Sequence, residues 1–236
     1  MAEPYNMRVR HKAVIFDLFG TLVSGFWEGH DEHLAEMALA LGLPQQDFLR
    51  AWTDTCGERL VGAIPTIADN LRLIMKAMGL PPDEERIAKA VKTREDFVRS
   101  RLIPRPDALL VLEELKAKGL KLGLMSDCSP EVPALWDELA ISRYFDSAVF
   151  SPLVRKRKPD PRMYEAVCGG LGVRPEECVY VGDGGNNELS GATGLGMTAV
   201  LISVPGEEAL DPYTAEARNW QGPRIPDLRG VIGFLG

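Results

Sequence analysis

AVIFDLFGTLV, residues 13–23, decides how the rest of the chain is read. Ala13, Val14, Ile15 and Phe16 run without a polar break and deliver Asp17, after which Leu18, Phe19, Gly20, Thr21 and Leu22 follow at once. A short apolar run ending in a lone carboxylate and then Gly-Thr predicts a buried strand whose last residue emerges at the sheet edge. In an open parallel sheet, ligands bind at the carboxyl ends of the strands. Asp17 is therefore the first catalytic candidate, and Phe19 governs which chemistry it can perform.

Outward from this stretch, the second half of the chain alternates strands with helices of about ten residues, the pattern of a parallel sheet covered on both faces. Residues 107–118 read as an amphipathic helix closed by Gly119. Residues 120–125 form a strand that delivers Ser126 and Asp127. A helix over 131–139, a strand over 147–150 and a helix over 161–171 come next. A strand over 179–182 delivers Asp183, and a helix over 187–193 and a strand over 199–202 complete the series. Because parallel strands end on one side, Asp17, Ser126, Asp127 and Asp183 can converge, with Lys158 in a nearby loop.

Residues 25–104 have a different texture. Apolar residues at Leu34, Met37, Ala38 and Leu41 keep helical spacing, as do those of 47–60 and 67–78, and a longer helix spans 83–103. Gly42, the Gly62-Ala63-Ile64-Pro65 run and Gly79-Leu80-Pro81-Pro82 punctuate these pieces. No strand of the buried parallel kind interrupts them. The expected organisation is an α/β core of residues 1–24 and 105–236, with an all-helical insertion of residues 25–104.

Composition sets the outer bounds. With 45% hydrophobic and 26% charged residues the chain is an ordinary globular one, able to bury a real core. A net charge of −7 argues against nucleic acid as a partner. Cys56, Cys128, Cys168 and Cys178 fit neither a zinc knuckle nor a disulfide scaffold, and free thiols fit a reducing cytoplasm. No apolar run approaches membrane-spanning length, so a soluble, cytoplasmic protein is expected, with an ordinary polar lead-in before Lys12.

DLFGT at 17–21, MSD at 125–127, KPDP at 158–161 and GDGGNNEL at 182–189 together resemble the four ordered motifs of the haloacid dehalogenase-like hydrolases. The resemblance implies a Rossmann-like core with a helical cap. It implies Asp17 as the nucleophile, Lys158 as the cation between nucleophile and phosphoryl group, and Thr21 and Ser126 as hydrogen-bond donors to its oxygens. It further implies Mg2+ held by Asp17, the main-chain carbonyl of Phe19 and Asp183, with Glu188 as a further ligand or as a partner of the ligands. An all-oxygen ligand set is what magnesium prefers. Asp127 is read either as part of the site or as a cap on the following turn, and Tyr164 as helix packing.

Phe19 departs from that pattern. Most family phosphatases carry a second Asp two residues after the nucleophile, to protonate the leaving group and then activate water. Losing such help costs on the order of 10²–10⁴ in rate. The family's 2-haloacid dehalogenases have an aromatic residue there, use no metal and carry Asn where this chain has Asp127. The acids Asp183 and Glu188 favour a magnesium-dependent phosphatase of a small phosphorylated metabolite. The alternatives are a metal-independent dehalogenase acting on a halogenated one, or a low-turnover binding or regulatory protein. A dehalogenase would also need a cap arginine for the substrate carboxylate, for which Arg50 and Arg59 are candidates. Trp27, Trp52 and Asn70 are further cap residues that line the site or pack the helices.

Overall fold

A computed structural model describes residues 11–24, 28–207 and 215–235. Trp27 and most of the polar lead-in lie outside the described residues. The core is one six-stranded parallel sheet in the order β3-β2-β1-β4-β5-β6. Its strands are β1 (Ala13–Phe16), β2 (Lys121–Ser126), β3 (Ser147–Phe150), β4 (Cys178–Gly182), β5 (Thr198–Ile202) and β6 (Arg224–Ile225).

Each apolar run behaves as a strand buried on two faces. Val14 and Phe16 of β1 join Leu122, Leu124, Val179 and Val181 in one core, while Ala13 and Ile15 join Met125, Tyr180 and Leu201 in the other. This is the period of two that directs successive side chains to opposite sides. Helices α6 (Ala108–Ala117), α7 (Glu131–Leu135) and α12 (Gly230–Leu235) contribute to the first core. Helices α9 (Pro161–Leu171) and α10 (Glu188–Gly194) cover the second. Two short helices, α8 (Ser151–Val154) and α11 (Ala215–Asn219), complete this part of the chain.

Between β1 and β2 come α1 (His30–Leu41), α2 (Gln45–Asp54), α3 (Cys56–Leu60), α4 (Ile67–Ala77) and α5 (Glu84–Arg101). They bury a third core of their own, built on Leu34, Met37, Leu41, Phe48, Leu71 and Ile74. The linkers on either side of this insertion meet, since Val23 and Pro104 form an antiparallel bridge. The insertion also rests on the core. Gly62, at φ 63°, faces the Pro152 carbonyl so closely that a Cβ would lie 2.0 Å from its oxygen, which explains glycine at that turn.

Several expectations need adjustment. The single helix expected over 47–60 breaks at Thr55, where α2 ends and α3 begins. The helix expected over 131–139 continues past Leu135 only as a 3₁₀ turn. The turn-rich tail adds β6 and α12, too short for a periodic signal. Among the described residues no helix is long and apolar enough to cross a membrane.

Candidate active site

The strand order places the topological switch point at β1, which continues to β2 on one side and has β4 on the other. Such a crevice is where open α/β sheets bind ligands. Asp17 directly follows β1 and Asp183 directly follows β4. Carboxylate oxygens of Asp17, Asp183 and Glu188 all lie within 4.8 Å of one another. Lys158 Nζ donates to Asp17 Oδ1 at 2.5 Å and to Glu188 Oε2 at 2.5 Å. All three side chains of that bridge are buried. The sequence-predicted Asp17, Lys158, Asp183 and Glu188 therefore form one cluster, although they span more than 170 residues of chain.

The turn after β1 is shaped to admit Asp183. Gly20 has φ 79°, and a Cβ there would lie 2.1 Å from Asp183 Oδ2. Only glycine suits both the left-handed backbone and the close approach. Thr21 and Ser126 are completely buried, and neither hydroxyl oxygen has a hydrogen-bond partner among the described residues. The Cys128 thiol is a weak neighbour of Ser126. Buried hydroxyls ordinarily find partners, so two such groups flanking the nucleophile mark a place where further acceptors belong. Phe19, half-buried, packs its ring against the first core.

Electrostatics follow from three clustered carboxyl groups, two of them bonded to one ammonium. Burial, assisted by Glu188 and opposed by Lys158, raises Asp17 to about 7. Burial, then Glu188 and Asp17, pushes Asp183 well above the usual carboxylate range. For Lys158 burial works against the charge, but Asp17, Glu188 and Asp127 outweigh it and hold the ammonium well above its ordinary value. An acid surplus of this kind is relieved by a cation. The donor set fits a hard divalent ion: Asp17 and Asp183 are carboxylates close enough to share one, and oxygen is the only donor element. Glu188 fits less directly. Its Oε2 already accepts from Lys158 and from Tyr180 Oη at 2.7 Å, and its Oε1 accepts from the Gly184 amide at 3.0 Å.

Sequence reasoning missed two residues of this network. Tyr180, fully buried in β4, reaches Glu188 and lies 3.5 Å from Lys158 Nζ. It sits inside an apolar strand, so nothing distinguished it from packing. Asn186 donates to Asp127 Oδ2 at 3.2 Å, and Asp127 Oδ1 accepts from the Lys158 amide at 3.1 Å. Asp127 thus ties the lysine loop to the Gly-Asn turn, to residues far along the chain from its own turn. The signal for Asn186 was the Gly-Gly-Asn-Asn run, since Asn186 and Asn187 adopt φ 52° and 55°, which Asn tolerates. Tyr164 packs as expected, with its hydroxyl donating to the Glu188 carbonyl at 2.8 Å.

The cap candidates separate. Arg50 is exposed and pairs with Asp47 on the surface. Arg59 is 2% exposed, stacks 3.8 Å above the buried Trp52 ring, and is lowered to about 10 by burial. Asn70 is fully buried, with neither amide atom partnered among the described residues. Nearby, Arg94 Nε of α5 donates to Glu131 Oε1 of α7 at 2.7 Å, joining insertion to core, and Arg94 Nη1 lies 2.9 Å from His33 Nε2. Because arginine only donates, His33 Nε2 accepts and the imidazole is neutral. Burial, Arg94 and His30 drive its pKa to about 3.

Comparison with known proteins gives the family. The chain is 28% identical over 212 residues to glyceraldehyde 3-phosphate phosphatase of Methanopyrus kandleri, covering 85% of this chain and 88% of that one. It is 29% identical over 200 residues to (S)-2-haloacid dehalogenase 4A of Burkholderia cepacia, covering 83% and 84%. The crystal structure of a HAD phosphatase from Thermococcus onnurineus shares the fold, with a TM-score of 0.64, 24% identity, and coverage of 95% of this chain and 98% of that one. A family model for haloacid dehalogenase-like hydrolases matches residues 11–196, which include every strand-end residue of the cluster. The chain belongs to the haloacid dehalogenase-like hydrolases.

Proposed function

We propose that this hydrolase is a magnesium-dependent phosphatase of a small phosphorylated metabolite. The observation that carries the reading is the acid surplus around Asp17, three clustered carboxyl groups of which two bond the one lysine. A bound cation suits that surplus and would draw a phosphate ester to the nucleophile, whereas a halide displacement needs no cation. Asp17 attacks phosphorus, the bond to the leaving oxygen breaks, and an aspartyl-phosphate forms. Water then attacks phosphorus, releasing phosphate and restoring Asp17. Lys158 holds Asp17 in line and offsets charge, while the Thr21 and Ser126 hydroxyls donate to phosphoryl oxygens. Asp17, Asp183 and the Phe19 carbonyl would hold Mg2+, with Glu188 as a ligand or as the anchor of Lys158. When bound, Mg2+ supplies charge neutralisation at the phosphoryl oxygens.

Phe19 can neither give nor take a proton, so substrates with good leaving groups should react fastest. Residues 25–104 serve as the cap that closes over the site and selects the substrate. Four free thiols suit a reducing cytoplasm. A panel of phosphate esters assayed with Mg2+ tests the reading. Phosphate release that is lost in Asp17→Asn supports it, and no release from any ester contradicts it.

Phe19 and the Burkholderia relative favour one second reading, a 2-haloacid dehalogenase in which Asp17 attacks carbon and halide leaves unprotonated. Halide release from 2-haloacids in the presence of a chelator would establish it.

A further inference from the structure

The structure assigns Arg105 as the residue that positions the turn after the nucleophile. Arg105 lies where the chain re-enters the core after α5, next to the Val23–Pro104 bridge, and is 7% exposed. Its backbone amide donates to the Leu22 carbonyl at 2.8 Å. Its guanidinium donates from Nε to the Thr21 carbonyl at 2.7 Å and from Nη2 to the Gly20 carbonyl at 2.8 Å. The outer edge of the fork meets Glu207, with Nη1 to Oε1 at 2.8 Å and Nη2 to Oε2 at 2.6 Å. One residue thus captures three consecutive carbonyls, those of Gly20, Thr21 and Leu22, and a carboxylate balances its charge.

What those carbonyls belong to gives the clamp its consequence. The same turn carries the unpartnered Thr21 hydroxyl, the Gly20 backbone against which Asp183 rests, and the Phe19 carbonyl one peptide earlier. Within the turn the Gly20 amide bonds the Val23 carbonyl at 2.7 Å, and the Leu22 and Val23 amides bond the Leu18 carbonyl at 2.9 and 2.8 Å. These bonds close the turn on itself, while Arg105 fixes its orientation relative to the core. A lysine would keep the charge but cannot span two carbonyls and a carboxylate, because the planar fork is what matches several acceptors at once. Arg105 does not touch the reacting atoms; it acts through Thr21, Gly20 and Phe19. Its location also joins the nucleophile turn to the return linker of the helical insertion, so insertion and turn share one anchor.

The kinetic part of the test rests on the phosphatase reading, and the exchange part does not. In Arg105→Lys, kcat for an aryl phosphate with Mg2+ should fall about 10- to 100-fold, the cost of a small misplacement of catalytic groups, with KM within about threefold. Amide hydrogen exchange at Gly20, Leu22 and Val23 should speed by about tenfold or more while the β4 amides stay protected. Added guanidinium ion should restore part of the activity of Arg105→Ala, and Glu207→Gln should show a weaker version of the same pattern. Unchanged kcat in Arg105→Lys with unchanged turn exchange would overturn the assignment. So would a kcat loss accompanied by global loss of exchange protection, which marks a merely structural residue. Should the wild type release no phosphate from the aryl ester, the phosphatase reading fails and the turn exchange alone decides the role of Arg105.

Discussion

Two buried charge clusters in this molecule have opposite balances. At the switch point Asp17, Asp183 and Glu188 form one cluster, and the ammonium of Lys158 bonds two of them, Asp17 and Glu188. At the junction of the helical insertion with the core, Arg94 and Arg59 lie near the single carboxylate of Glu131, and His33 is neutral. Buried charge is costly unless paired, so a surplus persists only where something offsets it. At the junction the surplus guanidinium of Arg59 is spread over the Trp52 face and bonds the Trp52 carbonyl at 2.8 Å and Thr55 Oγ1 at 2.6 Å. Among the described residues the donors to Asp17 and Asp183 are Lys158 and local amides, and burial displaces both carboxyl groups upward. At the junction Arg59 Nε, Glu131 Oε2 and His33 Nδ1 find no partner among the described residues, yet its charges are of both signs and in contact. At the switch point Asp17, Asp183 and Glu188 outnumber the ammonium of Lys158.

The sharpest way to break this contrast is to remove the nucleophile. Asp17→Asn should lower phosphate release by at least about 10³-fold while leaving the fold intact, because it deletes an acid from a cluster with too many. Phosphate assay and thermal melting together check both halves. Lys158→Met should destabilise the protein by about 3–5 kcal/mol in chelator, since it leaves Asp17 and Glu188 buried without their cation. Added Mg2+ should recover part of that loss in a denaturant titration.

At the junction the expected behaviour differs. Arg94→Ala alone should cost a similar 3–5 kcal/mol or so by stranding Glu131, but Arg94→Met with Glu131→Leu should be about neutral or stabilising. A double-mutant cycle by urea unfolding measures it. The smallest effect concerns His33. Its folded pKa of about 3 lies below the unfolded value of 6.5, so the unfolded chain binds the extra proton as pH falls. The contribution is complete above pH 6.5 and is lost progressively below it, by about 1 kcal/mol between pH 6.5 and 5.5. His33→Phe should flatten that portion of the melting curve against pH.

Strand ends were legible because a buried parallel strand is written as an apolar run, and its terminal carboxylate interrupts that run visibly. Asp17 and Asp183 follow directly. Glu188 was legible as an acid but not as the partner of Lys158, since a contact across 30 residues leaves no local pattern. Tyr180 and Arg105 were hidden for opposite reasons. One is an aromatic in an apolar strand, and the other sits between two prolines, outside any periodic run. The break at Thr55 was hidden because α2 and α3 keep nearly the same apolar period across it.

Calorimetric titration of the protein with Mg2+ decides whether the acid surplus at the switch point is a cation site. One site is expected, binding more tightly as pH rises through about 7, because the ion must displace protons from Asp17 and Asp183. That binding should disappear in Asp183→Asn. Absence of any Mg2+ binding to the wild type at millimolar concentration, or equal binding to Asp183→Asn, would contradict a cation site there.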